Sequence, residues 1–222
     1  TAGTSGWTEA ANKMAVGRRR SAAFGYNGYL YVVGGYEATT GVLADIEFVK
    51  INVSDGSLGN ASGEAFNTSS VQINQRWGLS VPVSNSYAYV LGGCTNGASP
   101  GGCTTTTNIV QTFQLYNNDS GAPAGYSSSA NQYSSQPNRI GVSAAVLNGY
   151  LYVAGGCTSA TDCTAVTNDV SYAPLDANGL VGAWTTTATL PAGRAWGKLR
   201  VAGNSLYYIG GQSATATDRR AE

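Results

Sequence analysis

Residues 139–156 read RIGVSAAVLNGYLYVAGG. Three other stretches repeat that phrase without a gap: RRRSAAFGYNGYLYVVGG at 18–35, RWGLSVPVSNSYAYVLGG at 76–93 and RAWGKLRVAGNSLYYIGG at 194–211. Each copy opens on an arginine (Arg18, Arg76, Arg139, Arg194) and closes sixteen residues later on Gly-Gly (Gly34-Gly35, Gly92-Gly93, Gly155-Gly156, Gly210-Gly211). A tyrosine stands three residues before every pair: Tyr31, Tyr89, Tyr152 and Tyr207. The glycine pairs recur at intervals of 58, 63 and 55 residues, the differences between Gly34, Gly92, Gly155 and Gly210. A period of that length is the mark of a repeated supersecondary unit.

Each copy reads as a β-hairpin. A small apolar first strand is followed by a two-residue turn at Asn27-Gly28, Asn85-Ser86, Asn148-Gly149 or Gly203-Asn204. Asn and Gly supply the positive φ that tight hairpin turns need. The second strand (YLYVV, YAYVL, YLYVA, LYYI) is continuously apolar, as a strand covered on both faces should be. The glycine pair then lets the backbone leave the sheet where a side chain would clash.

A second hairpin follows the first three copies. Its leading strand lies in DIEFVKIN, NIVQTFQLYN and NDVSYAPLD, and its turn carries Asp55-Gly56, Asp119-Ser120-Gly121 or Asp176-Ala177-Asn178-Gly179. Those aspartates recur at one turn position and read as turn formers. The closing strand carries an aromatic residue: Trp184, with a twin at Trp7, and weaker counterparts at Phe66 and at Tyr126 or Tyr133. The expected unit is therefore four antiparallel strands, and the expected fold is an all-β propeller of four-stranded blades.

The recurring Arg, apolar strand, Asn-Gly, Tyr-containing strand, Gly-Gly and spaced aromatic together resemble the kelch repeat, and the resemblance spans essentially the whole chain. One position departs from it. The histidine often found three residues after the arginine is replaced by Ser21, Leu79, Val142 and Gly197, so no histidine chemistry carries over. The resemblance implies a single domain over 1–222, with blades at about 18–75, 76–138, 139–193 and 194–222 plus 1–17. The N-terminal segment with Trp7 would pair into the last blade and close the ring, as the family is known to do, leaving no open sheet edge. The alternative is a segment of a larger propeller.

Composition narrows the function. Of the 222 residues, 11% are charged and the net charge is zero, which leaves no electrostatic footprint for nucleic acid. No apolar run reaches the roughly 18 residues of a membrane span. The four cysteines form two close pairs, Cys94 with Cys103 and Cys157 with Cys163. Two local disulfides are the favoured reading, with reduced structural thiols and a metal site as alternatives; no histidine is present to complete a zinc set. Disulfides place the protein in an oxidising compartment, extracellular or at the cell surface. Sequons at Asn52, Asn60, Asn67 and Asn118 carry little weight, because 17 asparagines in a chain rich in Ser and Thr produce that number by chance.

The connections after Gly-Gly and those entering the next arginine vary most and share one face, where function tends to live. The repeated arginine is expected to be structural, tying loops to carbonyls with its five donors. The differing positions beside it, Arg19, Arg20, Trp77 and Trp196, together with Tyr36 and Glu37, are the candidate ligand-binding residues. Aromatics beside Arg stack on sugar rings or receive a peptide. The absence of histidine removes Ser-His and Cys-His nucleophiles, and no evident carboxylate pair stands out among the twelve acids. The expected function is non-catalytic binding or adhesion, with a glycan or protein ligand, no cofactor and no metal. The alternatives are a carbohydrate-active propeller of mutarotase-like or lyase-like type, and a self-associating structural spacer of a surface filament.

Overall fold

The computed structural model describes residues 9–59, 65–97, 102–116, 120–128, 138–158 and 163–214. The architecture is all-β. The first sheet runs in the order β1 (Ala22–Tyr26), β2 (Tyr29–Glu37), β3 (Gly41–Lys50), β4 (Asn67–Thr68). The second runs β5 (Val83–Ser84), β6 (Tyr87–Val90), β7 (Gln111–Leu115), β8 (Pro123–Ser128). The third runs β9 (Ser143–Leu147), β10 (Tyr150–Ala154), β11 (Val170–Pro174), β12 (Thr185–Thr186). Among the described residues the last sheet has two strands, β13 (Lys198–Ala202) and β14 (Ser205–Ile209). Every neighbouring pair is antiparallel, and sequence neighbours are sheet neighbours throughout.

The turns set the register. Tyr26 pairs with Tyr29, Ser84 with Tyr87, Leu147 with Tyr150 and Ala202 with Ser205, so each repeat turns on two residues. The φ values at Asn27-Gly28 (46°, 77°), Asn85-Ser86 (48°, 64°) and Asn148-Gly149 (51°, 77°) are those of the hairpin turn that matches strand twist.

The core lies between consecutive sheets. Tyr29, Tyr31, Ile46 and Phe48 of the first sheet pack on Leu79, Ala88, Val90, Phe113 and Leu115 of the second. Tyr89, Leu91 and Val110 of the second pack on Val142, Leu151, Val153 and Ala173 of the third. Leu199 of β13 packs on Ala145, Ala154 and Val170 of the third. Each fully buried side chain of this kind contributes roughly 1.5–3 kcal/mol.

The repeats also interlock through rings seated on glycines. A Cβ at Gly121 would lie 2.4 Å from the Tyr29 ring, and one at Gly179 would lie 2.4 Å from the Tyr87 ring. Each glycine belongs to the turn between the last two strands of a sheet, and each tyrosine opens the second strand of the preceding sheet. Tyr150 holds the same place in the third repeat and is 40% exposed. Tyr207 and Ile209 on β14 are each 52% exposed, so this strand is not covered on both faces as its apolar sequence suggests. Their expected cover, a closing strand around Trp7, falls in residues 1–8 and so lies outside the described residues, as do Asp119 and Tyr133.

In the first three repeats the arginine fastens the glycine pair. Arg18 Nη1 donates to Gly34 O (3.1 Å), Arg76 Nη1 to Gly92 O (3.3 Å) and Arg139 Nη1 to Gly155 O (3.2 Å). The same guanidinium reaches a polar group at the third strand: Asp45 and Glu47 for Arg18, Gln111 for Arg76 and Asp169 for Arg139. Arg76 and Arg139 are 0% and 1% exposed. The glycine pair in turn joins neighbouring repeats: Gly35 N donates to Arg76 O (2.9 Å), Gly93 N to Arg139 O (2.9 Å) and Gly156 N to Arg194 O (2.8 Å). A Cβ at Gly34 would lie 2.6 Å from Arg76 O, and at Gly155 2.2 Å from Arg194 O. Glycine is required there because the next repeat's backbone occupies the space.

Cys94–Cys103 and Cys157–Cys163 are disulfide-bonded, with Cα separations of 5.8 and 5.1 Å. Each closes the loop after a glycine pair and constrains the unfolded chain by about 2.5 kcal/mol. The first repeat has a tight hairpin instead, with Glu37 paired to Gly41.

Candidate functional site

The site is built on the two residues after each arginine. The first of them pairs with the residue after the glycine pair in every repeat: Arg19 with Tyr36, Trp77 with Cys94, Ile140 with Cys157 and Ala195 with Gln212. Backbone bonds run both ways in each pair, as between Arg19 N and Tyr36 O (3.0 Å) and Tyr36 N and Arg19 O (2.9 Å). This fixes the four post-glycine loops around one end of the molecule.

The second residue is Arg20, Gly78, Gly141 or Trp196, and all four are left-handed, with φ of 55°, 68°, 67° and 64°. Their backbones bond from repeat to repeat: Gly78 N to Arg20 O (2.8 Å), Gly141 N to Gly78 O (2.9 Å) and Trp196 N to Gly141 O (2.8 Å). The conformation costs a non-glycine residue roughly 1–2 kcal/mol, yet Arg20 and Trp196 hold it. The reason is spatial. The Trp196 indole lies over the two glycines, since a Cβ would be 2.8 Å from its Cδ2 and Cε2 at Gly141 and 2.8 Å from its Cη2 at Gly78. Two glycines make the seat for one tryptophan.

Arg20 completes the layer. Its guanidinium carbon sits 4.7 Å from the Trp77 ring centroid and 5.0 Å from that of Trp196. Arg19 lies 4.9 Å over the Tyr36 ring, and Tyr36 meets Trp77 edge-on with centroids 6.5 Å apart. Each such cation–π contact is worth about 0.5–1 kcal/mol at an exposed site. Packing between the indoles desolvates the Arg20 guanidinium and, with the repulsion of Arg19 second, lowers its pKa. An arginine remains charged at neutral pH even so.

Five of the six sequence candidates therefore come together: Arg19, Arg20, Tyr36, Trp77 and Trp196. They do not play equal parts. Tyr36 and Trp77 are 4% and 2% exposed and pack among Cys94, Cys103, Ile140, Cys157 and Ala195. Trp77 Nε1 donates to Asn96 O (3.3 Å). Both rings are platforms beneath the cations rather than surfaces open to a ligand. Arg19 and Arg20 are exposed and Trp196 is half-buried. Glu37 stands beside the cluster on the hairpin loop and accepts from Thr39 N (2.9 Å) and Thr40 N (2.6 Å). Those two bonds pull its carboxyl down to about 2.

The sequence reading missed the left-handed column. Its signal was present, since Gly78 and Gly141 stand in the same aligned column as Arg20 and Trp196. It also missed the acid pair Asp45 and Glu47. Glu47 is fully buried, accepts from Ala15 N (2.8 Å) and is ion-paired with Arg18, which also holds Asp45 at 2.7 Å. Among the described residues, no group of three or more His, Cys, Asp and Glu side chains is placed to hold a metal ion. Among the described residues too, no helix is long and apolar enough to cross a membrane.

No known protein-family description matches the chain. No curated protein matches it either. Solved structures do: 160 chains match, among them the structure of YjhT, at a TM-score of 0.63 and 18% identity over 94% of this chain. The chain spans 66% of the length of YjhT, and at that identity the likeness extends to the fold alone.

Proposed function

We propose that the chain is a kelch-like β-propeller that binds a glycan or a protein, without catalysis, through the end bearing Arg19, Arg20 and Trp196. The observation that carries this reading is the cation–aromatic layer. Two exposed guanidinium groups are held over Tyr36, Trp77 and Trp196 at 4.7–5.0 Å. Fixed planar donors beside an aromatic edge suit hydroxyl- and carboxylate-bearing ligands. Strain retained at Arg20 and Trp196 supports a role beyond packing, because glycine fills the same position in the other two repeats.

The propeller reading is supported by consecutive sheets packing face to face and by first-strand segments of all four repeats lining one cavity. In it the N-terminal segment completes the last blade. The two disulfides favour an extracellular or cell-surface setting.

The test is a binding screen of wild type, Arg19→Ser and Arg20→Gly on glycan and surface-protein arrays. Arg20→Gly suits the left-handed backbone and preserves the fold. Loss of the wild-type signals in both variants supports the site; signals unchanged in both reject it.

A further inference from the structure

We propose that the cavity at the centre of the four repeats is a second binding site, for a small oxyanion carrying a carboxylate or phosphate group. The cavity has a volume of about 430 Å³ and is lined by the first-strand segments 21–24, 79–83, 143–145 and 198–201. Sites for small molecules fall in that size range, roughly 300–1,000 Å³. It begins one residue beyond Arg20 and two beyond Trp196, and neither residue lines it.

Its lining is one-sided in chemistry. Lys198 and Arg200 alternate with Leu199 on β13; Leu199 is buried and both cations are exposed. Among the described residues no Asp or Glu lines the cavity, and none is a salt-bridge partner of either cation; the Arg200 guanidinium donates to Leu199 O (3.1 Å). This does not reflect a basic chain, because the net charge is zero. The hydroxyl groups add donors. Ser80 Oγ accepts from Ala144 N (3.0 Å) and Ser143 Oγ from Leu199 N (2.7 Å). A hydroxyl oxygen that accepts a backbone N–H keeps its own proton to donate. An ammonium, a guanidinium and serine hydroxyls, with no carboxylate beside them among the described residues, suit a negative oxygen.

The experiment is calorimetric titration of the intact chain with inorganic phosphate and, separately, with succinate, at ionic strength fixed by chloride; glycerol is the neutral control. Saturable binding of phosphate, succinate or both is expected, and which of them binds names the source of the oxyanion. Lys198→Gln/Arg200→Gln should weaken it about tenfold or more, while Lys198→Arg should keep it. Both residues are exposed, and unchanged melting without anion confirms that the variants fold. Arg19→Ser should leave anion binding unchanged, which separates this site from the loop-end cluster. Binding that persists in the double variant, or no saturable binding of either anion to wild type, overturns the proposal.

Discussion

Replacing Gly179 by alanine tests how the repeats interlock, and Gly149 supplies the control. The two glycines have nearly the same backbone, with φ of 75° and 77°. A methyl group at either forces a left-handed L-residue, at a cost of roughly 1–2 kcal/mol. They differ in what the methyl group meets. At Gly149 nothing lies within 4 Å, whereas at Gly179 three atoms of the Tyr87 ring lie at 2.4–2.7 Å. That ring is partly buried and packs against the core between the second and third sheets, so withdrawing it opens the contact. Overpacking of this kind adds about 1–3 kcal/mol. Gly149→Ala should therefore lose about 1–2 kcal/mol and Gly179→Ala about 2–5 kcal/mol. In a chain of this size the difference lowers Tm by several degrees, about 2–4 °C per kcal/mol. Denaturant unfolding of both variants measures it. Truncating the ring in Gly179→Ala/Tyr87→Ala should bring the double variant close to Tyr87→Ala plus the backbone cost alone. Equal losses for Gly149→Ala and Gly179→Ala would refute the ring-on-glycine seat.

Other consequences can be measured separately. Arg76→Met keeps the volume but strips donors from Gly92 O, Ile109 O, Asn74 O and Gln111 Oε1; it should destabilise the chain by about 3–5 kcal/mol in a urea titration, and a loss under about 1 kcal/mol would show that the arginine is no anchor. Burial first, then neighbouring tyrosines or Asp176, raises Tyr31 and Tyr89 to about 12. A phenol whose folded pKa is raised stabilises the fold below its unfolded value, and that contribution fades as pH climbs from about 10 to about 12; ultraviolet titration should show tyrosine ionisation continuing up to about 12, and a titration complete near 10 would contradict it. For Glu37 the sign is opposite. Its contribution is present above the ordinary carboxylate range and is lost as pH falls through about 2, so its carboxyl carbon shift should titrate near 2, and a midpoint near 4.5 would remove the loop bonds from the account.

Local rules made most of the fold legible. Asn-Gly turns, alternating small strands and the Arg-to-Gly-Gly spacing located three complete sheets and the start of a fourth, because each signal acts within a few residues. Trp184 marked the strand β12 beside it, and Phe66 did the same for β4. What escaped was set by neighbours far along the chain. The glycine pair reads as a bend, yet its stricter reason is Arg76 O or Arg194 O arriving from the next repeat. Trp77 shares an aligned column with Arg19, Ile140 and Ala195, which gives no hint that both disulfide loops wall it in. The exposure of Tyr150 and Tyr207 was equally hidden, since their sequence positions match those of buried partners in earlier repeats.

The central claim is that the cation–aromatic end receives the ligand. The direct measurement is a crystal structure of the chain with a ligand taken from the array screen. The account predicts that ligand within hydrogen-bond distance of the Arg19 or Arg20 guanidinium and against the Trp196 edge. A ligand seated at the Asn-Gly turns, with Arg19 and Arg20 untouched, would contradict it.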